Sequence, residues 1–173
     1  MPANRDGHRF NVGFIWTRDH GLIEVHRKHF LPEMEAFYEV TWYDRGPSKF
    51  ETACAGDARF GFAICTELWA METAQHYGRA GAHGILTPRA TGCQTVEKWL
   101  AAGRTAGVVA GAYSVSSNRF APEFDFGGHG WITSPDGKLL AETNEANPFA
   151  TADCDLSAAE RAKTTYPRDA INR

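Results

Sequence analysis

The sequence is short of several things, and each shortage removes a class of function. Its four cysteines, Cys54, Cys65, Cys93 and Cys154, are far apart and form no C-x-x-C pair, which excludes a disulfide-rich framework and suits reduced thiols. No apolar run approaches the roughly 18 residues of a membrane span. The opening stretch, Met1 to Gly7, has no signal-peptide hydrophobic core, so the chain is expected to be cytoplasmic and to have no membrane partner. Basic charge is not in excess: 18 Lys and Arg stand against 21 Asp and Glu, for a formal net charge of -3. The cations are scattered as well, which sets nucleic acid aside as a partner. Internal repeats, low-complexity blocks and linkers are all missing.

What remains is ordinary globular material. In 173 residues, 43% are hydrophobic and 23% charged, enough for one domain with a sizeable core. Two strands, Phe10–Trp16 and Leu22–His26, are separated by a polar turn and read as a hairpin that delivers Lys28 just beyond its end. A long aromatic-rich stretch, Leu31 to Asp57, reads as irregular; loops of that length inside a domain are often functional. There follow a buried strand at Arg59–Cys65, a helix at Ala70–Arg79, a strand at His83–Thr87 stopped by Pro88, a helix at Val96–Thr105 and a strand at Val108–Val115. This alternation predicts an α/β layer. Strands are expected at Trp131–Thr133, Lys138–Glu142 and Thr151–Leu156, and Ser157-Ala158-Ala159-Glu160 reads as a capping box opening a last short helix.

Cys65 closes the apolar run Phe60-Gly61-Phe62-Ala63-Ile64 and is followed at once by Thr66-Glu67 and a helical segment. A thiolate at a strand-to-helix turn would face backbone N–H groups and the positive end of the helix dipole, both of which lower a cysteine's pKa. Free cysteine is equally at home as inert packing, so position alone leaves both readings open. Covalent catalysis on a carbonyl or nitrile carbon needs a nucleophile, a cation for the developing oxyanion and a proton carrier. Cys65, Lys28 and Glu39 are candidates for those parts, although a lone lysine or loop glutamate is more often a solvated charge.

The company these residues keep is more specific. Arg27-Lys28-His29-Phe30-Leu31-Pro32, Tyr38-Glu39 with Trp42 and Gly46, Gly61-Phe62-Ala63-Ile64-Cys65-Thr66-Glu67 and Gly81-Ala82-His83-Gly84-Ile85-Leu86-Thr87-Pro88 resemble, in this order, the signature blocks of the nitrilase or carbon-nitrogen hydrolase superfamily. Ser117-Asn118-Arg119, Gly128-His129-Gly130 and Ser134-Pro135-Asp136-Gly137 resemble its later blocks. The resemblance implies an α/β fold, a partial α-β-β-α sandwich of the nitrilase type with mixed sheets, as a single domain over residues 1–173. It implies hydrolysis of a non-peptide carbon-nitrogen bond (amide, N-carbamoyl or nitrile) through a cysteine thioester, closest to N-carbamoyl amine or small amide hydrolases. Cys65 would be the nucleophile, Lys28 the oxyanion-stabilising cation and Glu39 the glutamate that orients the lysine. The N–H of Thr66 would complete the oxyanion hole, and Glu67 would hold the turn by a hydrogen bond rather than transfer a proton.

The resemblance also implies an N-terminal strand-and-helix region carrying a first catalytic glutamate, the general base, and no glutamate precedes Phe10. A fragment, a half completed by another chain and a pseudoenzyme are the readings this leaves; the alternative to a hydrolase is a non-catalytic binding or assembly module. A small amide, carbamoyl or nitrile molecule is the expected substrate, a homodimer or larger homo-oligomer the expected assembly, and no cofactor or metal is called for. His26 and His29 lack further ligands at zinc spacing. Trp42, Tyr43 and Phe37 either pack the long loop or wall a substrate pocket, and His129 either lines that pocket or serves a tight turn. Phe124, Phe126 and Trp131 are candidates for a subunit contact.

Overall fold

The computed structural model describes residues 1–35 and 37–171. In chain order the strands are β1 (Pro2–Arg5), β2 (His8–Thr17), β3 (Gly21–Arg27), β4 (Glu33–Met34), β5 (Phe37–Tyr38), β6 (Thr52–Ala55), β7 (Ala58–Phe62), β8 (Gly84–Arg89), β9 (Tyr113–Asn118), β10 (Phe120–Ala121), β11 (Phe126–Gly127), β12 (Trp131–Thr133) and β13 (Leu139–Glu142). The α-helices are α1 (Met71–Arg79), α2 (Val96–Ala110), α3 (Leu156–Ala162) and α4 (Arg168–Ile171). β1, β2 and β3 form an antiparallel sheet, and a mixed six-stranded sheet runs β13-β12-β9-β8-β7-β6. Its centre, β7-β8-β9, is parallel, because α1 and α2 supply the crossovers that parallel neighbours require.

One face of the large sheet packs on the helices. Ala74 and Tyr77 of α1 and Trp99, Ala102, Ala106 and Ala110 of α2 join Ala63, Ile85 and Trp131 in a buried cluster. Fully burying a side chain such as Ile85 contributes about 1.5–3 kcal/mol. The other face meets the small sheet through Ile15, Phe62, Ile64 and Leu86. The sheets close tightly because Gly13 lacks a side chain: a Cβ there would lie 2.6 Å from the Phe62 ring. The outcome is a helix-sheet-sheet stack.

Several elements differ from the sequence reading, each for an identifiable reason. Asp6-Gly7, with φ of 51° and 81°, turns the chain so that β1 pairs back on β2, and Gly56-Asp57 does the same between β6 and β7. Both are two-residue hairpin loops, a signal that was there to be read. β8 continues through Pro88 to Arg89. Ala63 donates to the Leu86 carbonyl (3.0 Å), so the Pro88 nitrogen, two residues on, faces the same side, beyond the last paired residue of β7, and no ladder bond is lost. α2 runs on to Ala110 and ends at Gly111 in the left-handed conformation (φ 60°), so Val108 and Val109 are helical and β9 starts only at Tyr113. No strand forms at Thr151–Leu156; Asp155 caps α3 instead, its carboxylate accepting from the Ser157 N–H (3.0 Å). Trp131 is 3% exposed and belongs to the core, which removes it as a subunit contact. No helix among the described residues is long and apolar enough to cross a membrane.

Candidate active site

The C-terminal ends of parallel strands are where α/β sheets gather ligand-binding groups, since the loops that leave them converge there. Cys65 lies three residues beyond the end of β7, beside the end of β8. Its φ is 52°, a left-handed conformation that costs a non-glycine residue about 1–3 kcal/mol. A 3-10 turn over Cys65–Trp69 follows, and α1 begins only at Met71. The strain is held by neighbours on both sides. Upstream, Tyr77 of α1 clamps Phe62, donating its hydroxyl to the carbonyl (2.6 Å) and accepting from the N–H (3.2 Å). Downstream, Thr66 donates its hydroxyl to the Phe30 carbonyl (2.7 Å).

Glu67, with no solvent exposure, joins the turn to the lysine segment. One carboxylate oxygen accepts from the Ile64 N–H (2.8 Å), the other from the His29 N–H (2.7 Å), and the His26 Nε2–H reaches both at 2.9 Å. The glutamate three residues into the turn therefore grips the residue before the cysteine and the residue after Lys28 at once. His26 is itself buried and stacked on Phe50, with ring centroids 5.0 Å apart.

Lys28 is fully buried, and its Nζ donates to Glu39 Oε2 at 2.7 Å. The β2-β3 hairpin delivers it: its N–H donates to the Asn11 carbonyl (2.8 Å), continuing the ladder by one residue. Its own carbonyl accepts from the Gly46 N–H (2.9 Å), while His29 Nδ1–H donates to the Gly46 carbonyl (2.7 Å). Gly46 lies so close to β3 that an added Cβ would sit 2.2 Å from the Arg27 carbonyl oxygen. Since the obstacle is backbone, Gly46→Ala is expected to destabilise the fold by about 1–3 kcal/mol. A urea midpoint equal to that of the unaltered chain would contradict this.

Burial is the main influence on the Cys65 thiol and pushes its pKa up; the Lys28 ammonium pulls it down, as do hydrogen bonds from the backbone N–H groups of Ala90 and Thr66, and Glu39 opposes them. The sequence reading had the following helix lowering this pKa. The Thr66 N–H does pull it down, but the residues after Cys65 form a 3-10 turn with α1 starting only at Met71, and burial outweighs the lowering influences.

Arg89, the last residue of β8, had no place in the sequence reading. It is 7% exposed and its guanidinium stands 4.4 Å from the Trp131 ring centroid. Nε donates to the Ser116 hydroxyl (3.0 Å), Nη1 to the Thr91 hydroxyl and Nη2 to the His129 carbonyl. Burial lowers its pKa to about 10, the Cys65 sulfur acting in the opposite direction, so it stays charged at neutral pH.

The remaining candidates are dispersed. Trp42 and Tyr43 are tied to Glu39 by backbone N–H bonds to its carbonyl, 2.9 Å each, but the Trp42 side chain is 58% exposed and the Tyr43 ring lies against Arg9, its guanidinium carbon 5.3 Å from the centroid. The Phe37 side chain lies outside the described residues. His129 lines a groove with Cys93, Phe120 and Glu145. A second groove, of about 530 Å³, runs along β8 and β9 past Leu86, Pro88 and Val115. Among the described residues no cluster of His, Cys, Asp and Glu could hold a metal ion.

Residues 1–164 match the model of the carbon-nitrogen hydrolase family. The chain is 27% identical over 180 residues to N-carbamoylputrescine amidase of Arabidopsis thaliana, covering 92% of this chain and 60% of that protein. It is 25% identical over 167 residues to omega-amidase NIT3 of Saccharomyces cerevisiae, covering 91% and 57%. The fold is that of a carbon-nitrogen hydrolase from Helicobacter pylori G27, with a TM-score of 0.86 at 21% identity over 99% of this chain and 64% of that one. The chain thus spans little more than half the length of the curated relatives it matches. With residues 1–164 matched, a stretch that includes the lysine, glutamate and cysteine segments, this chain belongs to the carbon-nitrogen hydrolase family.

Proposed function

We propose that the protein hydrolyses a non-peptide carbon-nitrogen bond of a small amide, carbamoyl compound or nitrile, with Cys65 as nucleophile. The observation that carries this is the buried Lys28–Glu39 ion pair set against a left-handed cysteine at a strand end. With an amide, the Cys65 S–H bond breaks as the sulfur bonds to the carbonyl carbon, the carbonyl π pair moves to oxygen, and the thiol proton passes to the amide nitrogen. The oxyanion is met by the Lys28 ammonium and the Thr66 N–H. Collapse breaks the carbon-nitrogen bond, the amine leaves with a proton, and a thioester remains. Water then adds to the thioester, the sulfur departs as thiolate and recovers a proton, and the acid is released. Glu39 holds the ammonium in place and keeps the pair neutral in its buried setting. A homo-oligomer belongs to the same proposal, supported by the exposed Phe14, Trp16 and Leu22 on the small sheet; a monomeric sedimentation coefficient would remove it.

Glu67 is committed to His26 and to the backbone N–H groups of His29, Phe30 and Ile64, and Glu39 to Lys28, so neither stands ready as a general base. The 173 residues by themselves are therefore expected to turn amides over several powers of ten more slowly than a complete catalytic unit, while still forming a Cys65 thioester with an activated ester. Mass spectrometry of the chain after a p-nitrophenyl ester checks this. No acyl adduct on Cys65 would sink the hydrolase reading; rapid amide turnover abolished by Cys65→Ser would sink only the expectation of slowness.

The alternative, a binding or assembly module without turnover, is favoured by one observation: burial raises the Cys65 thiol instead of activating it. Labelling of Cys65 by iodoacetamide across pH separates the two. A profile displaced to higher pH than that of free cysteine, with no acyl adduct, supports the module.

A further inference from the structure

Three cationic side chains, Lys28, Arg89 and Arg168, are buried around the core, and two of them have a carboxylate partner. Lys28 has Glu39 at 2.7 Å and Arg168 has Asp136 at 3.1 Å. Arg89 is the exception: all its hydrogen-bond acceptors are neutral oxygens, and among the described residues no carboxylate lies within ion-pairing distance. A buried cation left without a counter-charge costs several kcal/mol, so its retention asks for an anion that is not part of the protein.

Where Arg89 sits says which anion. β8 pairs in parallel with β7 through Phe62 and Leu86, so Arg89 and Ala90 at its far end run on beside the segment that carries Cys65, and the Cys65 sulfur and the Arg89 guanidinium act on each other electrostatically. Three of its five N–H groups have acceptors among the described residues, and the Trp131 face and the Ser116 and Thr91 hydroxyls fix the plane of the fork. A rigid guanidinium of this kind matches a carboxylate bidentately.

We propose that Arg89 is the anchor for a carboxylate on the substrate, so that this chain takes amides or carbamoyl compounds bearing an acidic group in preference to neutral or cationic ones. The inference rests on the reading of Cys65 as the reacting sulfur. A carboxylate on the acyl side and one on the departing amine share this chemistry, and succinamate and N-carbamoyl-β-alanine tell them apart.

The test is protection of Cys65 from iodoacetamide, followed on the Cys65 peptide by mass spectrometry, because it needs binding beside the sulfur and no turnover. Succinamate or N-carbamoyl-β-alanine is expected to protect at least about tenfold better than butyramide or 4-aminobutyramide at equal concentration, the yield of one charge-assisted contact. Arg89→Gln should erase that difference and Arg89→Lys should keep part of it. Equal protection by butyramide, stronger protection by 4-aminobutyramide, protection by none of the four, or undiminished anion protection in Arg89→Gln would each overturn the proposal. If Arg89→Gln does not fold, the charge series on the unaltered chain still decides it. Anion-selective protection with no acyl adduct from an activated ester would sink hydrolysis and leave the anchor standing.

Discussion

Replacing Glu67 with leucine is expected to cost the fold about 3–5 kcal/mol, since each donor left buried without an acceptor costs about 1–3 kcal/mol. The loss is large because four donors, the His26 ring N–H and the backbone N–H groups of His29, Phe30 and Ile64, would lose their acceptor. Against a total stability of about 5–15 kcal/mol for a domain, that is a substantial fraction. Urea denaturation followed by circular dichroism is the measurement. Glu67→Gln offers a control: its amide oxygen can serve one side of the site, while its NH₂ would point at a donor on the other. It should therefore fall between the unaltered chain and leucine. Coincident midpoints for all three would mean that the turn is held by other contacts and that Glu67 is no hub.

Lys28→Met should slow acylation of Cys65 by an activated ester about 10²–10³-fold, the usual cost of losing one oxyanion donor in a closed site. Two effects act in the same direction. The ammonium is gone from beside the developing oxyanion, and the thiol loses the strongest influence opposing its burial, so less thiolate is present at any given pH. The expected labelling profile of the variant therefore shifts further toward high pH. Lys28→Arg is not a conservative rescue, because the planar fork is bulkier than an ammonium and the slot is fully buried. An acylation rate equal to that of the unaltered chain would remove Lys28 from the chemistry.

Much of the frame could be read in advance. The β2-β3 hairpin, the strand into Cys65, α1 and the β12-β13 turn all carry strong local signals of period, turn residues and apolar runs. Misreadings occurred where two local signals coincide or the signal is short. Val108-Val109-Ala110 is apolar in either a strand or a helix, and only Gly111 in the left-handed conformation, packed against α3, decides the boundary. β6 is four residues at a sheet edge inside a polar loop, and its partner β7 makes it a strand. Of the site, the Lys28, Glu39 and Cys65 stretches stood out by their order along the chain. Arg89 did not, since one arginine after a proline looks like any surface charge until burial and the absence of a carboxylate are known.

Local chemistry thus determined which residues could react, where the chain turns and that the core forms between helices and sheet, because these depend on neighbours within a few positions. Tertiary packing alone decided that a lysine, a glutamate and an arginine from separate segments act electrostatically with one sulfur, and that burial of the sulfur outweighs them. Both outcomes follow from distances and burial between residues tens of positions apart, for which side-chain type and spacing carry no record.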